Sequence, residues 1–341
     1  MIVYIPSITA TSPIIPPPTI TMKVLCLHGR GTSGAIFKSQ TSSIRSRLSD
    51  LNLEFDFLDG PYPCPPAPGI DLFYPPPYYS YYEELPPNGT STGSSYTVES
   101  LKKTHAWLSS ILSERGPYDL VLTFSQGTAL AASTLLLHEL QEAQAQAGYR
   151  DRERDTIPAP SPPPFKSAIF ICGGAPLPLL EHIGFHIPPS TKARDLASRS
   201  ALASMADSAA ILSLGSARWR GLEDIDVDHD HPHSHSHSHS HSHSESLPSG
   251  FTFNKEDEIR REISGSPLRI SIPTVHIYGE RDPRYVAGIQ LSEVCVRERR
   301  KVYNHGGGHE IPRFEAVTAA MADLVRWAVR AAAAAGAGGS S

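Results

Sequence analysis

A chain of 341 residues, 40% hydrophobic and 19% charged, has the make-up of a globular protein of one or two domains. Thirty-five acidic against thirty basic residues leave a net charge of -5 and no basic stripe, which argues against nucleic acid as a partner. Proline, at 31 residues, is about twice as frequent as usual and is barred from helix interiors and central strands, so part of the chain lies outside regular elements.

Residues 1–21 (MIVYIPSITATSPIIPPPTIT) have no basic n-region, and prolines interrupt every apolar stretch. They read as a disordered leader rather than a signal peptide. Met22 then opens a strand-like run, with a strand expected over 23–28, a helix over about 35–48 and a second strand over 53–58. The segment 61–95 interleaves prolines with tyrosines and reads as an insertion. Its tyrosines 78, 79, 81 and 82 suggest either an aromatic lid over an acyl chain or an extended surface loop. A helix is expected over 97–114, where Val98, Leu101, Leu108, Ile111 and Leu112 recur at helical spacing and Gly116-Pro117 stops it. A strand over 119–124 and a helix over 126–140 follow. Residues 141–165 form a second expected insertion, and a strand is expected over 167–172. Residues 186–268 form a third insertion and include a His/Ser tract (229–243) expected to be low-complexity chain without catalytic role. Strand 273–278, helix 284–297, strand 299–303 and helix 312–330 complete the series, before a featureless tail over 331–341.

Strands apolar throughout and alternating with helices describe one α/β domain over 22–330, built on a mostly parallel sheet covered on both faces. No run of about 18 apolar residues exists, so no membrane span is expected. Cys26, Cys64, Cys172 and Cys295 lack any tight spacing, which fits reduced thiols and a cytoplasmic setting.

The chemistry concentrates at strand ends. Leu122-Thr123-Phe124-Ser125-Gln126-Gly127 lies where an apolar strand meets an Ala-rich helix, the context of a nucleophile elbow. Small residues are wanted two before and two after the serine, since the turn brings backbones close. Gly127 meets that need, whereas Thr123 stands where glycine is usual. Ser125 read alone is equally a helix N-cap. In chain order, acid and histidine should then follow at later strand ends. Gly279-Glu280-Arg281-Asp282 supplies Asp282, with Glu280 as runner-up. Asn304-His305-Gly306-Gly307-Gly308-His309 supplies two competing histidines, His305 and His309. A serine hydroxyl is a weak nucleophile until an imidazole removes its proton and a carboxylate holds that imidazole. Two N–H donors for an oxyanion are expected at Gln126 and, from the loop His28-Gly29-Arg30-Gly31, at Arg30. The glycines of that loop lack dinucleotide spacing, and neither cofactor nor metal is expected.

LCLHGRGTSGAIF, DFLDGP, GPYDLVLTFSQGTALAA, PTVHIYGERD and HGGGHEIP together resemble the family serine hydrolases (FSH type), including the fungal LovG-like esterases. The resemblance spans about 22 to 330 and skips the insertions. It implies an α/β-hydrolase fold and hydrolysis of short-to-medium acyl esters, with a triad falling on Ser125, Asp282 and His309. It also implies a small-molecule ester or thioester substrate. In relatives that release polyketides, the partner is an acyl carrier protein. Thr123 and Arg30 depart from the family pattern. Thr123 supports a rival reading, a catalytically impaired scaffold with a binding role, and a further alternative is a general short-chain carboxylesterase outside secondary metabolism.

Overall fold

The computed structural model describes residues 21–83, 98–150, 161–204 and 268–337. The His/Ser tract and most of the leader lie outside them. In chain order the described elements begin with β1 (Met22–Leu27), α1 (Gly34–Gln40), α2 (Ser42–Arg47) and β2 (Leu53–Leu58). The short strands β3 (Tyr62–Pro63) and β4 (Tyr79–Ser80) precede α3 (Val98–Arg115), β5 (Leu120–Phe124) and α4 (Gln126–Arg150). Then come β6 (Ser167–Ile171), α5 (Leu177–His182), α6 (Pro189–Ser204), β7 (Thr274–Tyr278), α7 (Tyr285–Glu293), β8 (Arg300–Asn304) and α8 (Glu315–Ala337).

Six strands pair in the order β2-β1-β5-β6-β7-β8, every pair parallel. Every residue of β5, β6 and β7 is buried, as apolar strands covered on both faces require. Alternation along the strands divides the core in two. Leu25, Leu27, Val121 and Phe170 join Leu108 of α3, Leu130 and Leu135 of α4 and Leu291 of α7 on one face. Val24, Cys26, Leu122, Ile169 and Ile277 join Phe37 of α1, Ile44 of α2 and Met321 and Val325 of α8 on the other. This is the expected α/β-hydrolase architecture. The register aligns Leu27 with Thr123, Thr123 with Phe170 and Phe170 with His276, so the carboxyl ends of the central strands form one edge. Strand order reverses between β1 and β5, and the crevice at such a point is where open α/β sheets bind ligands.

Several boundaries differ from the expectation. The helix expected over 35–48 breaks at Thr41, whose hydroxyl donates to Phe37 O (2.8 Å) and so competes with the helical bond. The helix expected over 126–140 continues to Arg150, the third insertion contains α6, and α8 enters the Ala-rich tail as far as Ala337. Low complexity was the wrong cue there, because Ala, Gln, Glu and Arg are strong helix formers whatever their monotony. In the other direction, the helix expected over 284–297 stops at Glu293, and Cys295 instead bridges Ile270.

The aromatic-lid expectation fails for the last two of its four tyrosines. Tyr81 and Tyr82 are 0% and 1% exposed and belong to the core. The Tyr81 hydroxyl accepts the His28 N–H (2.9 Å), and its ring packs beside His28 and Trp107. Tyr79 is stitched to the loop after β1: Gly31 N–H donates to its carbonyl (2.9 Å) and its own N–H to Thr32 O (2.7 Å). Phe73, 67% exposed, carries the outward aromatic surface instead. Tyr81→Ala is therefore expected to lower unfolding free energy by ~3–5 kcal/mol in urea denaturation. A loss below ~1 kcal/mol would return Tyr81 to the surface.

Candidate active site

At the end of β5 the chain turns sharply into α4, and Ser125 is held at φ 52. The left-handed region is unfavourable for a residue with a Cβ, and such strain persists only where surrounding structure enforces it. Here the Ser125 N–H donates to Ile171 O (2.9 Å) and the Gly127 N–H to His28 O (3.2 Å). A Cβ on Gly127 would lie 2.4 Å from Leu27 O, so only glycine allows α4 to start this close to β1. Thr123 is accommodated rather than strained. It is fully buried, and its hydroxyl lies 2.8 Å from that of Thr128 and donates to Ile169 O (3.1 Å). Room for Thr128 comes in turn from Gly173, where a Cβ would meet Thr128 Cγ2 at 2.1 Å.

The serine, acid and histidine expected from strand order meet at this edge. Ser125 Oγ lies 2.9 Å from His309 Nε2, and His309 Nδ1 lies 2.8 Å from Asp282 Oδ2. With the Nδ1 proton donated to the carboxylate, Nε2 is left to accept the serine proton. The second oxygen of Asp282 accepts the Arg284 N–H (2.7 Å). The Asp282 side chain is 1% exposed and that of His309 12%. The carboxylate is thus dry while the imidazole reaches solvent. Phe124 supports the His309 ring, with centroids 5.2 Å apart.

Both runners-up are placed elsewhere. Glu280 is exposed. His305 is buried beneath the glycine loop, where Nδ1 accepts the Gly307 N–H (3.2 Å) and Nε2 lies 3.7 Å from Cys172 Sγ. Burial pulls its pKa down to about 4, so it stays neutral and braces the loop that carries His309. His28 plays the same part for the first loop. Nδ1 donates to Gly29 O (2.7 Å), Nε2 accepts the Gly60 N–H (2.9 Å), and burial lowers its pKa to about 4.

That first loop passes directly over the serine. A Cβ on Gly29 would lie 2.8 Å from the Phe124 ring and 3.4 Å from Ser125 Cβ, which brings the adjacent, exposed Arg30 to the site. Gln126 is the first residue of α4, where N–H groups lack helical partners.

Two contributors went unrecognised in the sequence. The Gln126 side chain accepts the Tyr81 N–H (2.9 Å) and donates to Ser80 Oγ (3.0 Å), tying the elbow to the 80–82 segment. Cys172, expected only as a core hydrophobe, ends β6 at φ 48 and donates from Sγ to Glu310 O (3.4 Å). Its thiol is one of three groups, with Asp282 and His309, whose ligand atoms lie within 4.8 Å of one another. Burial and the Asp282 charge push that thiol well above its usual pKa, and Asp282 and His309 already bond each other. A thiol held in its protonated form is a poor metal ligand, so the cluster does not suit metal binding.

The arrangement can activate a hydroxyl and stabilise the imidazolium that results, which is the chemistry of acyl transfer. Comparison with known proteins agrees. The chain is 27% identical over 297 residues to an esterase, FPY3, of Fusarium mangiferae, covering 86% of this chain and 89% of that one. It is 25% identical to the esterase alnB of Emericella nidulans, covering 90% and 96%. Among solved structures it is similar to a Bacillus cereus carboxylesterase (10% identity, TM-score 0.42, covering 92% and 90%). The model of the family described as Serine hydrolase (FSH1) matches residues 19–199 and 227–321. This chain therefore belongs to that serine hydrolase family.

Proposed function

We propose that Ser125 is the nucleophile of an esterase that cleaves a carboxyl ester or thioester through an acyl-enzyme, with His309 as base and Asp282 as its partner. The observation that carries this is the pair of contacts at 2.9 and 2.8 Å linking serine, imidazole and carboxylate. Ser125 Oγ attacks the carbonyl carbon while its proton passes to His309 Nε2. Negative charge gathers on the carbonyl oxygen, toward the N–H groups of Gln126 and Arg30. The tetrahedral intermediate collapses, and the leaving alcohol or thiol takes the proton from Nε2. Water then repeats the sequence, releasing the acid and restoring Ser125. A scaffold without catalysis would need a disturbed elbow, and the bonds made by Thr123 leave that reading without support.

Resemblance to LovG-like esterases supports a finer reading, in which the substrate is an acyl thioester or ester of fungal secondary metabolism, including a polyketide carried on an acyl carrier protein. Four free cysteines favour a reducing, cytoplasmic setting for it. Among the described residues, no helix is long and apolar enough to cross a membrane.

A fluorophosphonate probe tests the nucleophile. It should label the wild type and leave Ser125→Ala unlabelled, and an unlabelled wild type would overturn the proposal. A matched pair of acyl N-acetylcysteamine thioester and oxygen ester then measures which leaving group is preferred.

A further inference from the structure

Helix α6 is attached to the molecule in an unusual way. Among its described side chains only Thr191 is buried, and Leu196 is 46% exposed. Besides the exposed pair of Lys192 with Glu181 of α5, what reaches it is Arg284, from the turn that carries Asp282. The Arg284 Nη1 donates to Asp195 Oδ1 (2.6 Å), to Asp195 O (3.2 Å) and to Ser198 Oγ (2.7 Å). Arg199 Nε donates to the other Asp195 oxygen (2.7 Å). The Arg284 and Asp195 side chains are 8% and 13% exposed. Gly174 makes the passage, since a Cβ there would lie 2.8 Å from both Arg284 Nη2 and Ala287 Cβ.

The same residue touches the site through its backbone, where the Arg284 N–H holds Asp282 Oδ1 at 2.7 Å. Asp282 is therefore bonded two residues away from a buried cation. A guanidinium seeks bidentate carboxylate partners, and one left unpaired in a buried position has strong reason to move. Asp282 is the carboxylate within its own turn. If Arg284 folded back onto it, the Oδ2 that faces His309 would be taken.

We propose that Asp195 is a positioning residue: by pairing with Arg284 it docks α6 and keeps that guanidinium off the triad acid. This rests on the reading of Asp282 as the partner of His309. The proposal makes Asp195 more important than Arg284 for the rate, and it requires that removing Arg284 as well restores kcat, which simple loss of a salt bridge does not do. The reason is that removing Arg284 also removes the group that would intrude.

The test uses p-nitrophenyl acetate, a small ester, and the rate of fluorophosphonate labelling. Asp195→Asn should lower kcat by about 10²-fold with KM changed less than about twofold, because displacement of a catalytic partner costs rate rather than binding. Adding Arg284→Gln to it should raise kcat again, to the level of Arg284→Gln alone, and Asp195→Glu should recover most of the wild-type rate. Should Asp195→Asn fold poorly, Asp195→Leu combined with Arg284→Met replaces the pair with apolar side chains and is expected to stay folded and to keep more activity than Asp195→Asn. Equal kcat for wild type and folded Asp195→Asn would overturn the proposal, as would a double variant no faster than Asp195→Asn. A wild type that neither hydrolyses nor labels would overturn the triad reading and this one with it. A wild type that does both, beside an unaffected Asp195→Asn, would overturn this one alone.

Discussion

Asp282→Asn is expected to lower kcat/KM for a simple ester by about 10⁴-fold while leaving the fold intact. The size of the loss follows from which amide atom must face His309. Asp282 Oδ1 accepts the Arg284 N–H, so an asparagine there keeps its carbonyl oxygen on that side. Its NH₂ is then turned toward His309 Nδ1, where the aspartate had an acceptor. Two N–H groups cannot face each other, so the imidazole proton moves to Nε2 and the ring can no longer accept from Ser125. Asparagine matches aspartate in shape, and the thermal midpoint should barely move. Glu280→Gln is the companion measurement, because Glu280 is exposed and its loss should leave the rate within about twofold. A loss below tenfold in Asp282→Asn would refute its assignment as the acid partner.

The second large effect is on stability in mild acid. Burial lowers the pKa of His28, His105 and His305 to about 4 and of His276 to about 3. At His276 the nearby Arg300 adds to the effect. The unfolded chain titrates these rings near 6.5, so between that value and about 4 it takes up protons that the folded chain refuses. Their contribution is complete above pH 6.5 and is lost as pH falls. At pH 5 each ring costs ~2 kcal/mol, or ~8 kcal/mol for four, comparable with the ~5–15 kcal/mol that holds a typical domain together. Asp195, held below the usual carboxylate range, acts only under about pH 4 and does not offset this. Urea unfolding followed from pH 7.5 to 5 should therefore show stability dropping by several kcal/mol, with about four protons taken up. A flat profile over that range would contradict the neutral, buried state of these rings.

How much of this was legible beforehand differs from residue to residue. Apolar runs such as LVLTF and SAIFI announce strands buried on both faces, and the order Ser125, Asp282, His309 follows from placing polar residues at strand ends. The choice of His309 over His305 was open on residue types alone, because both sit in one glycine loop. Burial under the loop separates them, and burial is a tertiary property. Tyr81 and Tyr82 misled for a related reason. Proline-rich surroundings suggest surface, yet the prolines only steer the chain while the two rings fill the core beside Trp107. Thr123 was a departure on paper, and its fit depends on Thr128 and Gly173, residues five and fifty positions away. The role of Asp195 had no sequence signal at all, since its partner lies 89 residues on.

Ser125, Asp282 and His309 each leave the end of a different strand, and those ends are held in register by one sheet. The connections between them vary in length without disturbing that register, because each begins and ends on the same rigid edge. Descendants of this chain can thus rewrite the outer parts of the β6–β7 and β2–α3 connections, provided that Asp195 keeps its contact with Arg284 and the Ser80–Tyr81 stretch its contact with Gln126. The sheet separates what evolution can alter cheaply from what it must keep.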